Sequence, residues 1–165
     1  MTKALFFVAE KGFRDSELFK PKDVLENNGV KCHITSTGNQ AQGAEGAIVM
    51  CDVSLKEIKV EDYDAFILIG GPATMTLNIP PVIQILKEAE AKGKLIAAIC
   101  WAPAILAKNG LLEGKKATVW SGAIDDLKHN DAIYLEEGVV EDGIITACGP
   151  HVATEFGEKI LSHLL

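Results

Sequence analysis

The sequence predicts an α/β protein with a mostly parallel sheet covered by helices on both faces. Three observations lead there. Residues 3–9, 65–69 and 95–99 are short, nearly continuous apolar runs of the kind that form strands buried on both faces. Amphipathic stretches of helical spacing lie between and after them, and turn residues or paired glycines follow the strands, as in Gly70-Gly71. Ligands of such a sheet are expected at the carboxyl ends of its strands.

Each element has a local reason. After the first strand, Asp15 or Ser16 can cap a helix whose Leu18, Val24 and Leu25 share one face, with Pro21 in its early turns and Asn27-Asn28-Gly29 as its stop. Residues 30–35 alternate as a second strand, 37–46 form a Gly/Gln-rich loop, and 47–53 form a short strand of a side ribbon. A turn at 60–64 precedes the strand ending in Gly70-Gly71, where the absence of side chains permits close approach of a ligand. Pro80-Pro81 opens a helix over 79–93 with Val82, Ile85, Leu86 and Ala89 on one face. Beyond Gly110 come a short strand at 116–120, a short helix at 123–128, a hairpin around Glu141-Asp142-Gly143 and a closing amphipathic helix at 152–165.

Composition narrows the function. A length of 165 residues suits one domain, 1–165, large enough for a core without disulfide or metal staples. The formal charge of −7 offers no basic patch for nucleic acid, and no apolar run is long enough to span a bilayer. Residues 1–3 lead straight into a strand pattern without a signal peptide, so the cytoplasm is the expected compartment. Cysteines 32, 51, 100 and 148 are too widely spaced for a zinc knuckle or dithiol motif and read as separate thiols. No metal or cofactor motif is evident; Gly70-Gly71 alone does not make a nucleotide site.

The chemistry centres on Cys100. The apolar run 95–99 passes through this cysteine into a helical segment at 101–108 with Pro103 in its first turn. A strand-to-helix corner exposes the side chain and leaves N–H groups free to receive an oxyanion. A nucleophilic thiolate with a lowered pKa is expected there, against the alternative of a cysteine used only in packing. The fold can also gather Glu17, Gly70 and Gly71 at the corner. Glu17 is either a solvated helix-start carboxylate or a buried acid that hydrogen-bonds the sulfur. The N–H groups of Gly71 and Trp101 are candidate oxyanion donors.

The stretch 97–103, Ala-Ala-Ile-Cys100-Trp-Ala-Pro, together with Gly12-Phe-Arg-Asp-Ser-Glu17 and Leu68-Ile69-Gly70-Gly71, resembles the ThiJ/PfpI family. The likeness extends to Gly122-Ala-Ile-Asp-Asp126, Glu141-Asp142-Gly143 and Gly149-Pro150, essentially the whole chain. It implies a flavodoxin-like three-layer sandwich, commonly dimeric or larger, with Cys100 as elbow nucleophile and Glu17 as its hydrogen-bonded carboxyl. Departures from the family are specific. Trp101 stands where protease-like members place a histidine, residues 72–78 lack their additional acid, and Trp120 occupies the histidine position of deglycase-like members. A Cys-His-acid triad therefore does not transfer, which weighs against peptide hydrolysis. His151, after Gly149-Pro150, is the remaining candidate; it either reaches Cys100 from an unusual direction or a neighbouring subunit, or is only a helix-start residue. The expected function is cysteine-dependent conversion of small reactive carbonyls or their adducts in a homo-oligomer. A redox sensor or stress chaperone, in which the thiol is oxidised, is the alternative, with a cysteine peptidase third.

Overall fold

A computed structural model describes residues 1–165. In chain order the elements are β1 (Lys3–Phe7), β2 (Lys11–Phe13), α1 (Asp15–Glu26), β3 (Lys31–Thr35), β4 (Gln40–Gly43) and β5 (Ile48–Met50). They continue with β6 (Ala65–Leu68), α2 (Pro80–Ala91), β7 (Leu95–Ile99), α3 (Pro103–Lys108), β8 (Lys116–Ala117) and α4 (Ile124–Lys128), then β9 (Ile133–Tyr134), β10 (Val139–Glu141), β11 (Ile145–Ala147) and α5 (Ala153–Leu164). The main sheet has the order β10-β11-β7-β6-β1-β3. All its pairings are parallel except that of β10 with β11, the hairpin expected at residues 141–143.

Alternation along each strand builds the three layers. Ala4, Phe6, Ile67, Ala97 and Ile99 join Leu18 and Leu25 of α1 and Phe156 and Ile160 of α5 in one apolar layer. Leu5, Phe7, Phe66, Leu68, Ile96 and Ala98 face α2 and α3 in the other. Because both faces are covered, these strands lack polar residues beyond Lys3 at the start of β1, and that is why they read as continuous apolar runs. Helices α1 and α5 pack closely where Gly157 meets Pro21; an added Cβ on Gly157 would lie 2.7 Å from the Pro21 Cα.

The connections from β1 run outward to β3 and then return across it to β6, so the strand order reverses between β1 and β6. The crevice at their carboxyl ends is where such a sheet receives ligands. A separate sheet, β2-β4-β5, flanks that crevice. Its first two strands were not expected: residues 40–43 alternate exposed and buried as Gln-Ala-Gln-Gly, a strand built from residues of low strand preference. Residues 101–102 are a turn, so α3 begins at Pro103, and only 116–117 of the 116–120 segment form a strand. No helix is long and apolar enough to cross a membrane.

Candidate active site

Cys100 follows β7 directly and has left-handed backbone geometry, φ 65°. For a residue with a Cβ this costs on the order of 1–3 kcal/mol and must be held by its surroundings. Two hydrogen bonds hold it: the Cys100 N–H donates to the Ala147 carbonyl at 2.8 Å, and the Cys100 carbonyl accepts from the Trp120 N–H at 2.7 Å. The elbow is thereby tied to β11 on one side and to the segment after β8 on the other.

Glu17 reaches this elbow from the first turn of α1 and is fully buried. Its Oε1 accepts from the Gly70 N–H at 2.9 Å. Oε2 is buried without a hydrogen-bond partner, and the Cys100 thiol is the neighbouring acid that acts on this carboxyl. Neither Asp15 nor Ser16 caps α1. Arg14 takes the cap position and its N–H donates to the Gly70 carbonyl at 2.8 Å, while the Asp15 carboxylate accepts from the N–H groups of Glu45 and Ala47, each at 3.0 Å. Pro21 falls in mid-helix, where its missing N–H removes the bond to the Glu17 carbonyl. The start of α1 is thus fastened to the Gly70 loop and the side sheet, and Glu17 is aimed inward.

Both glycines are required by space. A Cβ on Gly70 would lie 2.7 Å from the Cys100 Cβ and 2.7 Å from Glu17 Oε1, and one on Gly71 would lie 2.7 Å from the Arg14 nitrogen. Gly71 also has φ 133°. Gly70→Ala is therefore expected to force the elbow and Glu17 apart, with a stability loss of about 1–3 kcal/mol as in other overpacked sites. Urea unfolding measures it, and an unchanged midpoint would contradict this packing.

The electrostatics revise the expected low thiol pKa. Burial pushes Cys100 up to about 12, helped by the charge and hydrogen bond of Glu17 and opposed by the Trp101 N–H and Arg14. Burial likewise pushes Glu17 up to about 7, against its bonds to Cys100 and Gly70 and the Arg14 charge. Helix α3 has only six residues and gives a weak dipole, so it does not offset burial. The two acids form a coupled pair, and its first proton leaves the carboxyl.

A depression of about 450 Å³ opens above the sulfur, lined by Arg14, Gly71, Pro72, Cys100, Trp101 and Trp120. The Gly71 N–H has no backbone acceptor, and the Trp101 N–H faces the Cys100 sulfur. These donors and the thiol line one space, with the buried Glu17 carboxyl next to the thiol, an arrangement able to add sulfur to a carbonyl and hold the resulting oxyanion. Of the residues singled out in the sequence, Cys100, Glu17, Gly70, Gly71 and Trp101 come together here.

His151 lies elsewhere. Its Nε2 is 3.7 Å from the Cys148 sulfur, in an adjoining depression of about 390 Å³ that includes Tyr134 and Glu136 and shares Trp120 with the first. Arg14 is the residue that sequence reading missed. Its place in the Gly12-Phe-Arg-Asp-Ser-Glu17 stretch was the available signal, but nothing local to that stretch brings a guanidinium to Cys100.

Comparison with known proteins agrees with this architecture. The model of the DJ-1/PfpI family matches residues 2–163. The chain is 32% identical over 164 residues to the glutathione-independent glyoxalase DJR-1.2 of Caenorhabditis elegans, covering 98% of this chain and 88% of that one. It is 31% identical over 142 residues to the deglycase PfpI of Pyrococcus furiosus, covering 84% of this chain and 85% of the relative. The crystal structure of a ThiJ/PfpI domain protein from Brachyspira murdochii superposes with a TM-score of 0.92 at 28% identity, over 97% of this chain and 94% of that chain. With the three-layer fold, the cysteine elbow and a family match across nearly its full length, the chain belongs to the DJ-1/PfpI family.

Proposed function

We propose that this protein is a cofactor-independent glyoxalase-type enzyme that converts small 2-oxoaldehydes to hydroxy acids and protects the cell from reactive carbonyls. The observation that carries this reading is the buried Glu17 carboxyl packed against the elbow, where a Cβ on Gly70 would lie 2.7 Å from both Glu17 Oε1 and the Cys100 Cβ, with burial raising that carboxyl to about 7. Two relatives, one named a glyoxalase and one a deglycase, support the substrate class.

The steps need only these groups. Glu17 is about half ionised at pH 7 and more so above it, and as the Cys100 sulfur attacks the aldehyde carbon the carboxylate takes the thiol proton directly. The aldehyde oxygen becomes an oxyanion held by the Gly71 and Trp101 N–H groups and accepts a proton from Glu17, giving a hemithioacetal. Glu17 then takes the hydrogen of the former aldehyde carbon as a proton and returns it to the neighbouring ketone carbon, while the hydroxyl proton passes to the former ketone oxygen, which leaves a thioester of the 2-hydroxy acid. Water cleaves the thioester and restores the thiol. The sum is 2-oxoaldehyde plus water to hydroxy acid, with no outside oxidant or reductant.

A thiol held up near 12 argues against the sensor reading, because oxidation follows the thiolate fraction. The lack of an imidazole beside Cys100 argues against the peptidase reading. Incubation with methylglyoxal and assay of lactate tests the function. Wild type and His151→Ala are expected to form lactate at rates within about twofold of one another, since that imidazole pairs with another thiol. No lactate from the folded wild-type protein would overturn the reading.

A further inference from the structure

Trp101 and Trp120 are the chain's two tryptophans, and both line the space above Cys100. Their rings meet edge to face, with centroids 5.9 Å apart and planes at 64°. Trp120 is 44% exposed, an unusual setting for the largest apolar side chain. It is nevertheless well fixed. Its N–H binds the Cys100 carbonyl, and its ring lies directly on Gly122, where an added Cβ would lie 2.6 Å from ring carbons. One indole face is thus packed down while part of the ring is left open beside the sulfur.

Arg14 lines the same depression. Its guanidinium meets Glu45 only loosely, at 3.7 Å, and its Nε–H is buried without an acceptor. The rest of the guanidinium is partly exposed and held only by that loose ion pair, so its terminal N–H groups can take a ligand oxygen in the depression that Arg14 lines. An aryl 2-oxoaldehyde supplies a partner for both. Its aldehyde oxygen suits the Gly71 and Trp101 N–H groups, its neighbouring ketone oxygen suits the Arg14 guanidinium, and its ring suits the indole pair.

We propose that Trp120, with Trp101, makes this site selective for 2-oxoaldehydes bearing an aromatic substituent, and that Arg14 binds their second oxygen. The inference rests on the glyoxalase reading for turnover but not for binding. Trp120 is a specificity-determining residue in this scheme, taking no part in the proton transfers.

The experiment compares phenylglyoxal with methylglyoxal as substrates, with rates corrected for a Cys100→Ser background. The ratio of their kcat/KM values is expected to favour phenylglyoxal by about tenfold or more in the wild type. It should fall about tenfold in Trp120→Ala and be largely retained in Trp120→Phe, which keeps an aromatic wall. In parallel, benzoylformate, which has the aryl group and two vicinal oxygen functions but no aldehyde, is titrated into Cys100→Ser while tryptophan fluorescence is followed. Saturable binding, weakened about tenfold by adding Trp120→Ala, is expected. Turnover of methylglyoxal with a ratio that Trp120→Ala leaves unchanged overturns the inference and leaves the glyoxalase reading intact. Trp120-dependent binding of benzoylformate without turnover of either aldehyde supports the inference and overturns the glyoxalase reading. Neither turnover nor binding overturns both.

Discussion

Cys100→Ser is expected to reduce lactate formation from methylglyoxal by at least roughly a thousandfold, because a hydroxyl is a far weaker nucleophile and its proton is harder to pass to Glu17. The loss should be confined to turnover. Serine fits the space of the thiol, and the backbone bonds to Ala147 and Trp120 that fix the elbow do not involve the side chain. Circular dichroism and the unfolding midpoint should therefore stay close to wild type. The other thiols provide the contrast. Cys32 is pushed up to about 12 by burial and then by the Glu26 charge, and Cys51 and Cys148 are also raised by burial. Undiminished lactate formation in Cys100→Ser would remove the proposed chemistry from the elbow.

Glu17→Gln is expected to separate the acid–base role of this residue from its structural one. Glutamine keeps an oxygen for the Gly70 N–H but cannot accept the thiol proton, so turnover should fall by about two to four decades. Stability should move the other way as pH rises. The folded carboxyl has a pKa of about 7 against its ordinary 4.5, so between those values the native protein holds a proton that the unfolded chain has released. The protonated form's stability is fully present below pH 4.5 and is lost as pH rises through about 7. The shift corresponds to a loss on the order of 3 kcal/mol across the window. In urea melts the stability of wild type relative to Glu17→Gln should decline from pH 4.5 to 8, and the variant should lack that part of the slope. A constant difference over this range would mean that Glu17 is not held protonated by burial.

Much of the fold was legible because its signals are local. A parallel strand covered on both faces must be apolar throughout, and β1, β6 and β7 announce themselves in that way. Cys100 was legible as a corner because Pro103 ends the strand reading and starts a helix. The flanking sheet was less visible, since Gln40 to Gly43 pairs through its backbone and buries only Ala41 and Gly43. Asp15 looks like a helix cap, yet it answers N–H groups of Glu45 and Ala47 that are thirty or more residues away.

The electrical state of the site was the least legible part. A corner cysteine at a helix start suggests a lowered pKa, but burial under α1 and beside Glu17 is a property of the assembled layers, and it dominates a six-residue helix. The consequence is mechanistic: the thiol proton goes to a neighbouring carboxylate during attack instead of leaving for solvent beforehand. His151 shows the same limit. Its sequence context suggests service to Cys100, whereas the turn at Gly149-Pro150 sets it beside Cys148.

The most direct measurement is the pH profile of Cys100 alkylation by a small uncharged reagent, resolved for each cysteine by mass spectrometry, in wild type and Glu17→Gln. If sulfur and carboxyl act as one acid–base unit, the wild-type rate climbs with an inflection near pH 7, and that inflection disappears in the variant. The same inflection in both proteins would contradict the account.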